Sequence, residues 1–197
     1  MLIRKLFKFE GSHIVRDCSS DRCKLSIHGH SYIVEVKFKC DTLDNGQMVI
    51  DFGLLKGPIG DIIDSFDHTH VLWNRESNDF QTFIKTNSDR YIILPVSPSA
   101  EMLSLVLYAL IHNIIDRTVF NNGEGEVKIY SVIVHETATG YAESFFDDYC
   151  KIWKSNYSLD EIIFSDSIKS NWKNKCMMET EQFINPLVEL KYQTRKI

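Results

Sequence analysis

The sequence has no excess of basic charge, no long apolar run and no cysteine-pairing pattern. Its 22 lysines and arginines are outnumbered by 27 acidic residues, for a formal net charge of −5. A phosphate backbone demands a basic surface, so this balance argues against nucleic acid as the main partner. It leaves room for a small anionic substrate held by a local basic patch. The longest apolar stretches, such as Tyr91 to Pro95, are far too short to span a bilayer, so no membrane partner is expected. The first eight residues, Met-Leu-Ile-Arg-Lys-Leu-Phe-Lys, lack the apolar region and cleavage site of an export signal. The five cysteines, Cys18, Cys23, Cys40, Cys150 and Cys176, are odd in number and have no C-x-x-C spacing. No disulfide framework is expected, and a reducing, cytoplasmic setting fits best. Repeats and low-complexity tracts are also missing. What is present is ordinary: 44% apolar and 25% charged residues over 197 positions, enough for one domain or one domain with an appendage.

Against that background three histidines stand out. His13 follows a strand-like run, and His28-Gly29-His30 form a tight pair. Three neutral imidazoles can hold a zinc ion and leave a fourth position open, the pattern of a catalytic rather than a structural site.

The surrounding sequence supplies a scaffold. Residues 2–9 read as a strand, and 30–40 more clearly so: His30, Tyr32, Val34, Val36 and Phe38 share one face by period two. If the strand begins by residue 28, His28 joins that face. Asp44-Asn45-Gly46 signals a turn and residues 48–52 read as the returning strand of a hairpin. Apolar residues at helical spacing mark residues 53–66, with Pro58 tolerated only in the first turn. Residues 69–97 read as a long irregular connection with one apolar run. Ser97-Pro98-Ser99 opens a second helix carrying a stripe from Met102 to Ile115. Residues 126–136 read as a further strand. Strand, hairpin, helix, loop, helix, strand makes an α+β domain. Beyond about residue 150 the pattern weakens, but Trp153, Phe164, Trp172 and Phe183 argue against a disordered composition. The expected division is a domain over 1–149 and an extension over 150–197, packed on the domain or on a neighbouring subunit.

Each further candidate has two readings. His28, His30 and Glu35 match the H-x-H-x4-E of cupins, but Glu35 points to the opposite face and no second-motif histidine follows. Cys23, beside Arg22 and Lys24, reads as a base or nucleophile of depressed pKa, as a fourth zinc ligand, or as a small buried hydrophobe. Asp67-His68 reads as an orienting carboxylate–imidazole pair or as a helix end. Glu136-Thr137 closes a strand, where a carboxylate can accept two parallel bonds from an amidine-like ring edge or can simply be solvated.

Together these pieces resemble the 6-pyruvoyltetrahydropterin synthase and 6-carboxytetrahydropterin synthase family. The matching elements are Phe9-x-x-x-His13, Cys23, His28-Gly29-His30-Ser31-Tyr32, Gly46-x-Met48-Val49-Ile50-Asp51-Phe52-x-x-Leu55-Lys56, Phe66-Asp67-His68, Pro98-Ser99-x-Glu101 and Glu136-Thr137, in family order. The resemblance implies the tunnelling fold: an antiparallel four-stranded sheet with two helices on one face, assembling into subunit barrels, typically trimers stacked as hexamers, with active sites between subunits. It implies zinc held by His13, His28 and His30. It makes Cys23 the general base, Asp67 and His68 its proton relay, and Glu136, with Thr137, the pterin-binding group. The implied substrate is 7,8-dihydroneopterin triphosphate. The first expectation is conversion to 6-carboxytetrahydropterin in queuosine biosynthesis. The alternatives are 6-pyruvoyltetrahydropterin synthesis and, in a different class, a non-catalytic zinc-binding interaction protein. The connection from Asn74 to Ser97 is longer than usual for the family, and the tail has no counterpart in it.

Overall fold

Period-two alternation places the apolar residues of two long strands on one face, and the structure pairs those strands. The computed structural model describes residues 1–173 and the backbone of residues 183–184. In it β1 (Leu2–His13) and β2 (His28–Lys39) run antiparallel along their whole length, with Leu2 opposite Lys39 and His13 opposite His28. A five-residue helix, α1 (Asp21–Leu25), sits in the link between them. Tyr32, Val34, Val36 and Phe38 are buried as the alternation requires, while Ile33, Glu35 and Lys37 alternate with them on the other face.

Gly57-Pro58 breaks the next helical stretch. Leu54–Lys56 forms a single tight turn, and α2 (Pro58–Asp64) starts with the proline in its first turn, where its missing N–H costs nothing. Then come β3 (Thr69–Trp73), α3 (Asn78–Asn87) and β4 (Tyr91–Leu94). The long helix α4 (Ala100–Arg117) packs on the sheet, followed by β5 (Thr118–Val119), β6 (Lys128–His135) and β7 (Tyr141–Phe145). A single turn, α5 (Phe146–Asp148), leads to β8 (Ile163–Phe164), α6 (Asp166–Asn171) and β9 (Phe183–Ile184), which pairs with β5.

The sheet corrects the four-stranded expectation. Among the described residues it has seven strands in the order β7-β6-β2-β1-β3-β4-β8. Four of them, β7-β6-β2-β1, are antiparallel neighbours; β3 and β4 add parallel to β1, and β8 closes antiparallel on β4. The core helices α2 and α4 pack against each other, α2 also on β1 and α4 on β6 and β7, with further short helices elsewhere.

Two of the added strands, β3 and β4, come from residues 69–97, expected to be irregular, and the third, β8, comes from the extension. Four of the five residues of β3 and three of the four of β4 are buried. Strands covered on both faces lose their alternation and cannot be told from any short apolar run.

The expected hairpin strand at 48–52 is also absent. One carboxylate oxygen of Asp44 accepts from the amides of Gly46 and Met48, at 2.8 and 2.7 Å, and the Asp44 amide donates to the Met48 carbonyl. These bonds are used locally, Val49 and Ile50 turn into the core, and β6 takes the place beside β2.

The extension contributes Trp153, Ile162, Phe164, Ile168 and Trp172 to the same buried cluster as β2 and α4. Its part beyond residue 173, including the Phe183 side chain and Cys176, lies outside the described residues. Among the described residues no helix is long and apolar enough to cross a membrane.

Two edges matter below. Among the described residues β1 meets β3 only over Gly11–His13 and the stretch from Leu2 to Phe9 has no strand on that side, and β7 ends the sheet opposite. Leu2, Leu6, Tyr141 and Phe145 on these strands are exposed.

Candidate metal centre and active site

Strand register assembles the histidines. His13 ends β1 directly opposite His28, and His30 follows on the same face as buried Tyr32. Gly29 allows this: a Cβ there would come within 2.9 Å of the Gly11 carbonyl oxygen, forcing the strands apart where the imidazoles must meet. One nitrogen from each of His13, His28 and His30 lies within 4.8 Å of the others.

Hydrogen bonds fix which nitrogens face inward. The Pro98 carbonyl, 2.6 Å from His13 Nδ1, can only accept, so that nitrogen carries the proton and Nε2 keeps its lone pair. The Ser26 carbonyl does the same to His28 Nδ1 at 3.0 Å. The two Nε2 atoms then face each other at 3.1 Å, lone pair against lone pair. His30 Nε2 is buried with no hydrogen-bond partner among the described residues.

A cation resolves all three. Two nitrogens on one tetrahedral zinc stand about 3.3 Å apart, so the donor set fits a metal. Burial is the largest cause lowering the His13 pKa, to about 4. His28 and His30 push the same way, against the Pro98 bond, and the imidazole stays neutral and able to ligate.

The structure adds contacts around the trio that residue spacing does not give. Glu136 Oε1 lies 3.6 Å from His13 Nε2 and 3.8 Å from His30 Nε2, so the expected ring anchor borders the metal ligands themselves. Tyr32 Oη is 3.3 Å from His13 Nδ1, and burial, then Glu136, pushes its hydroxyl pKa upward. The Pro98 carbonyl is a backbone atom in a segment read as a helix start and as part of the Pro98-Ser99-x-Glu101 match, neither of which points to a contact with His13.

The Thr137 hydroxyl accepts from Gly140 N at 3.0 Å and Thr139 N at 3.4 Å, closing the β6–β7 turn.

Asp67 and His68 form the expected pair, Oδ2 to Nδ1 at 3.0 Å. Asp67 Oδ1 accepts from the Glu10 amide, and the His68 amide donates to the Glu10 carbonyl at 2.6 Å. Burial opposes charge on Asp67, but these bonds outweigh it and hold its pKa low. His68 takes φ 52°, uncommon for a residue with a side chain. A recess of about 420 Å³ lined by Glu10, Ser12, His30, Ser31, His68 and His70 links the pair to the edge of the trio.

Cys23 is half-buried on α1. Its thiol makes no hydrogen bond to His28, Asp67 or His68 among the described residues.

A family model described as 6-pyruvoyl tetrahydropterin synthase matches residues 2–145. A Helicobacter pylori (strain J99) protein named 6-carboxy-5,6,7,8-tetrahydropterin synthase is 44% identical over 176 residues, covering 89% of this chain and 88% of its own. An Aquifex aeolicus protein of the same name is 30% identical over 161 residues, 72% of this chain and 95% of its own. Among solved structures, an uncharacterized Wolinella succinogenes protein aligns with a TM-score of 0.56 at 20% identity, covering 74% of this chain and 98% of that one. Caenorhabditis elegans 6-pyruvoyl tetrahydropterin synthase aligns at 0.51 and 19% identity, over 74% and 94% of the two chains. These structural likenesses speak for the fold.

Proposed function

The chain belongs to the 6-pyruvoyl tetrahydropterin synthase family, and from that membership we propose that it is a 6-carboxy-5,6,7,8-tetrahydropterin synthase. It converts 7,8-dihydroneopterin triphosphate and one water to 6-carboxytetrahydropterin, acetaldehyde and triphosphate, in the cytoplasm and toward queuosine. The observation that carries this reading is the convergence of His13, His28 and His30 in a chain 44% identical, over 89% of its length, to a protein of that name.

Zinc is the ion proposed for the trio, where it would supply a Lewis acid toward the side-chain oxygens of the substrate. The remaining chemistry belongs to the chain. Cys23, as its thiolate, takes a proton from the substrate side chain as a general base. Asp67 fixes the His68 tautomer through the 3.0 Å bond, so that His68 Nε2 can pass the proton on. Glu136 accepts from the ring N–H groups and orients the pterin beside the trio, with Thr137 at its border.

The His68 side chain is 77% exposed, and the pair's hydrogen bonds run to Glu10 and not to Cys23. We assign their meeting to a subunit boundary in a homo-oligomer, a trimer or hexamer, where Cys23 of one copy faces His68 of the next.

Incubation of the zinc-loaded protein with dihydroneopterin triphosphate tests this. Acetaldehyde and the carboxy product are expected, and neither from a Cys23→Ser variant that keeps its zinc. Pyruvoyl product without acetaldehyde would assign the sister activity. Zinc retention with no turnover in the wild type would leave a binding protein.

A further inference from the structure

α1, which carries Cys23, has no buried residue. The hydrophobic core therefore does not orient it, and polar contacts must. The Cys23 carbonyl accepts from the Val15 amide at 3.0 Å, and the Lys24 carbonyl accepts from Arg16 Nη1 at 2.8 Å. Two consecutive residues just past β1 thus hold two consecutive carbonyls of α1.

Arg16 is itself held from elsewhere. Its Nε donates to both carboxylate oxygens of Glu76, at 3.0 and 3.2 Å, and its guanidinium lies 5.6 Å from the centre of the Phe80 ring. The Glu76 side chain is only 5% exposed. Its amide donates to the Trp73 carbonyl, and its carbonyl accepts from Gln81 Nε2 at 3.0 Å, which ties the turn to the start of α3. Phe80 packs on a small separate cluster of Leu72, Ile84 and Ile93, drawn from β3, α3 and β4.

We propose that Arg16 and Glu76 are positioning residues for Cys23, and that the segment between β3 and β4 braces the helix that carries it. The proposal rests on the reading of Cys23 as the base. It also gives a task to the segment 74–97, which holds α3 and β4. The β3–α3–β4 cluster anchors Glu76 and Phe80, these fix Arg16, and Arg16 fixes the backbone beside the thiol. A guanidinium suits the post because one planar group serves a carboxylate and a carbonyl at once, which an ammonium on a flexible stem does not reproduce.

The test uses full-length, zinc-loaded protein with Glu76→Gln and Arg16→Lys. A base displaced by an ångström costs roughly 10- to 100-fold in rate. The expected result is a fall of that size in kcat with KM within about twofold, full zinc content, and a changed rate of Cys23 alkylation by iodoacetamide, resolved per cysteine by peptide mass spectrometry. Arg16→Lys keeps the charge and is read alone if Glu76→Gln fails to fold. Folded variants with unchanged kcat and unchanged alkylation overturn the proposal. The alkylation rate reports the surroundings of Cys23 without turnover, so it still judges the brace if Cys23→Ser turns out fully active and the base assignment falls. In that case changed alkylation upholds the brace, and unchanged alkylation removes it too.

Discussion

The Nδ1 atom of His13 lies 2.6 Å from the carbonyl oxygen of Pro98, two residues ahead of α4. The geometry of a helix start thereby decides which nitrogen of a metal ligand is free. Ser99 caps that helix, its hydroxyl accepting from the Met102 amide at 3.4 Å. Ser99→Ala should cost about 1 kcal/mol of stability. By loosening Pro98 it should also weaken zinc retention up to about tenfold, toward the lower end of outer-shell effects. Thermal melting and chelator competition measure the two separately.

His28→Ala leaves two imidazoles, and zinc should fall below one ion per chain with turnover lost. Glu136→Gln should behave differently: zinc kept, KM raised roughly 10- to 100-fold for a lost charge-assisted bond worth about 1.5–3 kcal/mol. Metal analysis beside steady-state kinetics separates them. Loss of zinc from Glu136→Gln would make the carboxylate a ligand, a role its 3.6 Å approach to His13 leaves open.

Burial lowers the pKa of His70 from 6.5 to about 4. The unfolded chain therefore takes up this proton first as the pH falls. The stability that neutral His70 confers is complete above about 6.5 and is lost progressively toward 4, by up to roughly 3 kcal/mol. His70→Asn can keep a hydrogen bond to Ser12 Oγ, which stands 2.8 Å from Nδ1 in the wild type. It should flatten part of the acid-side slope in urea unfolding of the metal-free protein between pH 7 and 5. An unchanged slope would remove His70 from the account.

Trp172 is buried at 7% exposure, donates to Ser65 Oγ at 2.8 Å and packs edge-on against Phe164. Trp172→Ala should cost about 3–5 kcal/mol in urea unfolding, as expected for an aromatic lost from a core. A cost below 1 kcal/mol would mean that this part of the extension only rests on the domain.

How much of this was legible follows from which forces act in the open. β2 could be read because one face is buried and one is not, so each side chain reports its side. The stripe of α4 was legible for the same reason, although its burial extends further round the helix than the stripe alone implies. β3 and β4 are covered on both faces and gave no alternation. The strand expected at 48–52 failed because one side chain, Asp44, satisfies backbone amides that a hairpin would have used. The histidine trio was visible as residue types, and its register put it together. Its Pro98 partner was not visible, since a backbone carbonyl has no letter in the sequence. The Arg16–Glu76 pair spans sixty positions, and nothing local marks either residue.

The strand edges at Leu2–Phe9 and along β7 bring a last consequence. An open edge is unspent hydrogen-bonding capacity, and here both edges carry exposed apolar side chains. If copies of the chain satisfy one another along these edges, the folded state is favoured by mass action. Its melting temperature then has no single value and rises with protein concentration.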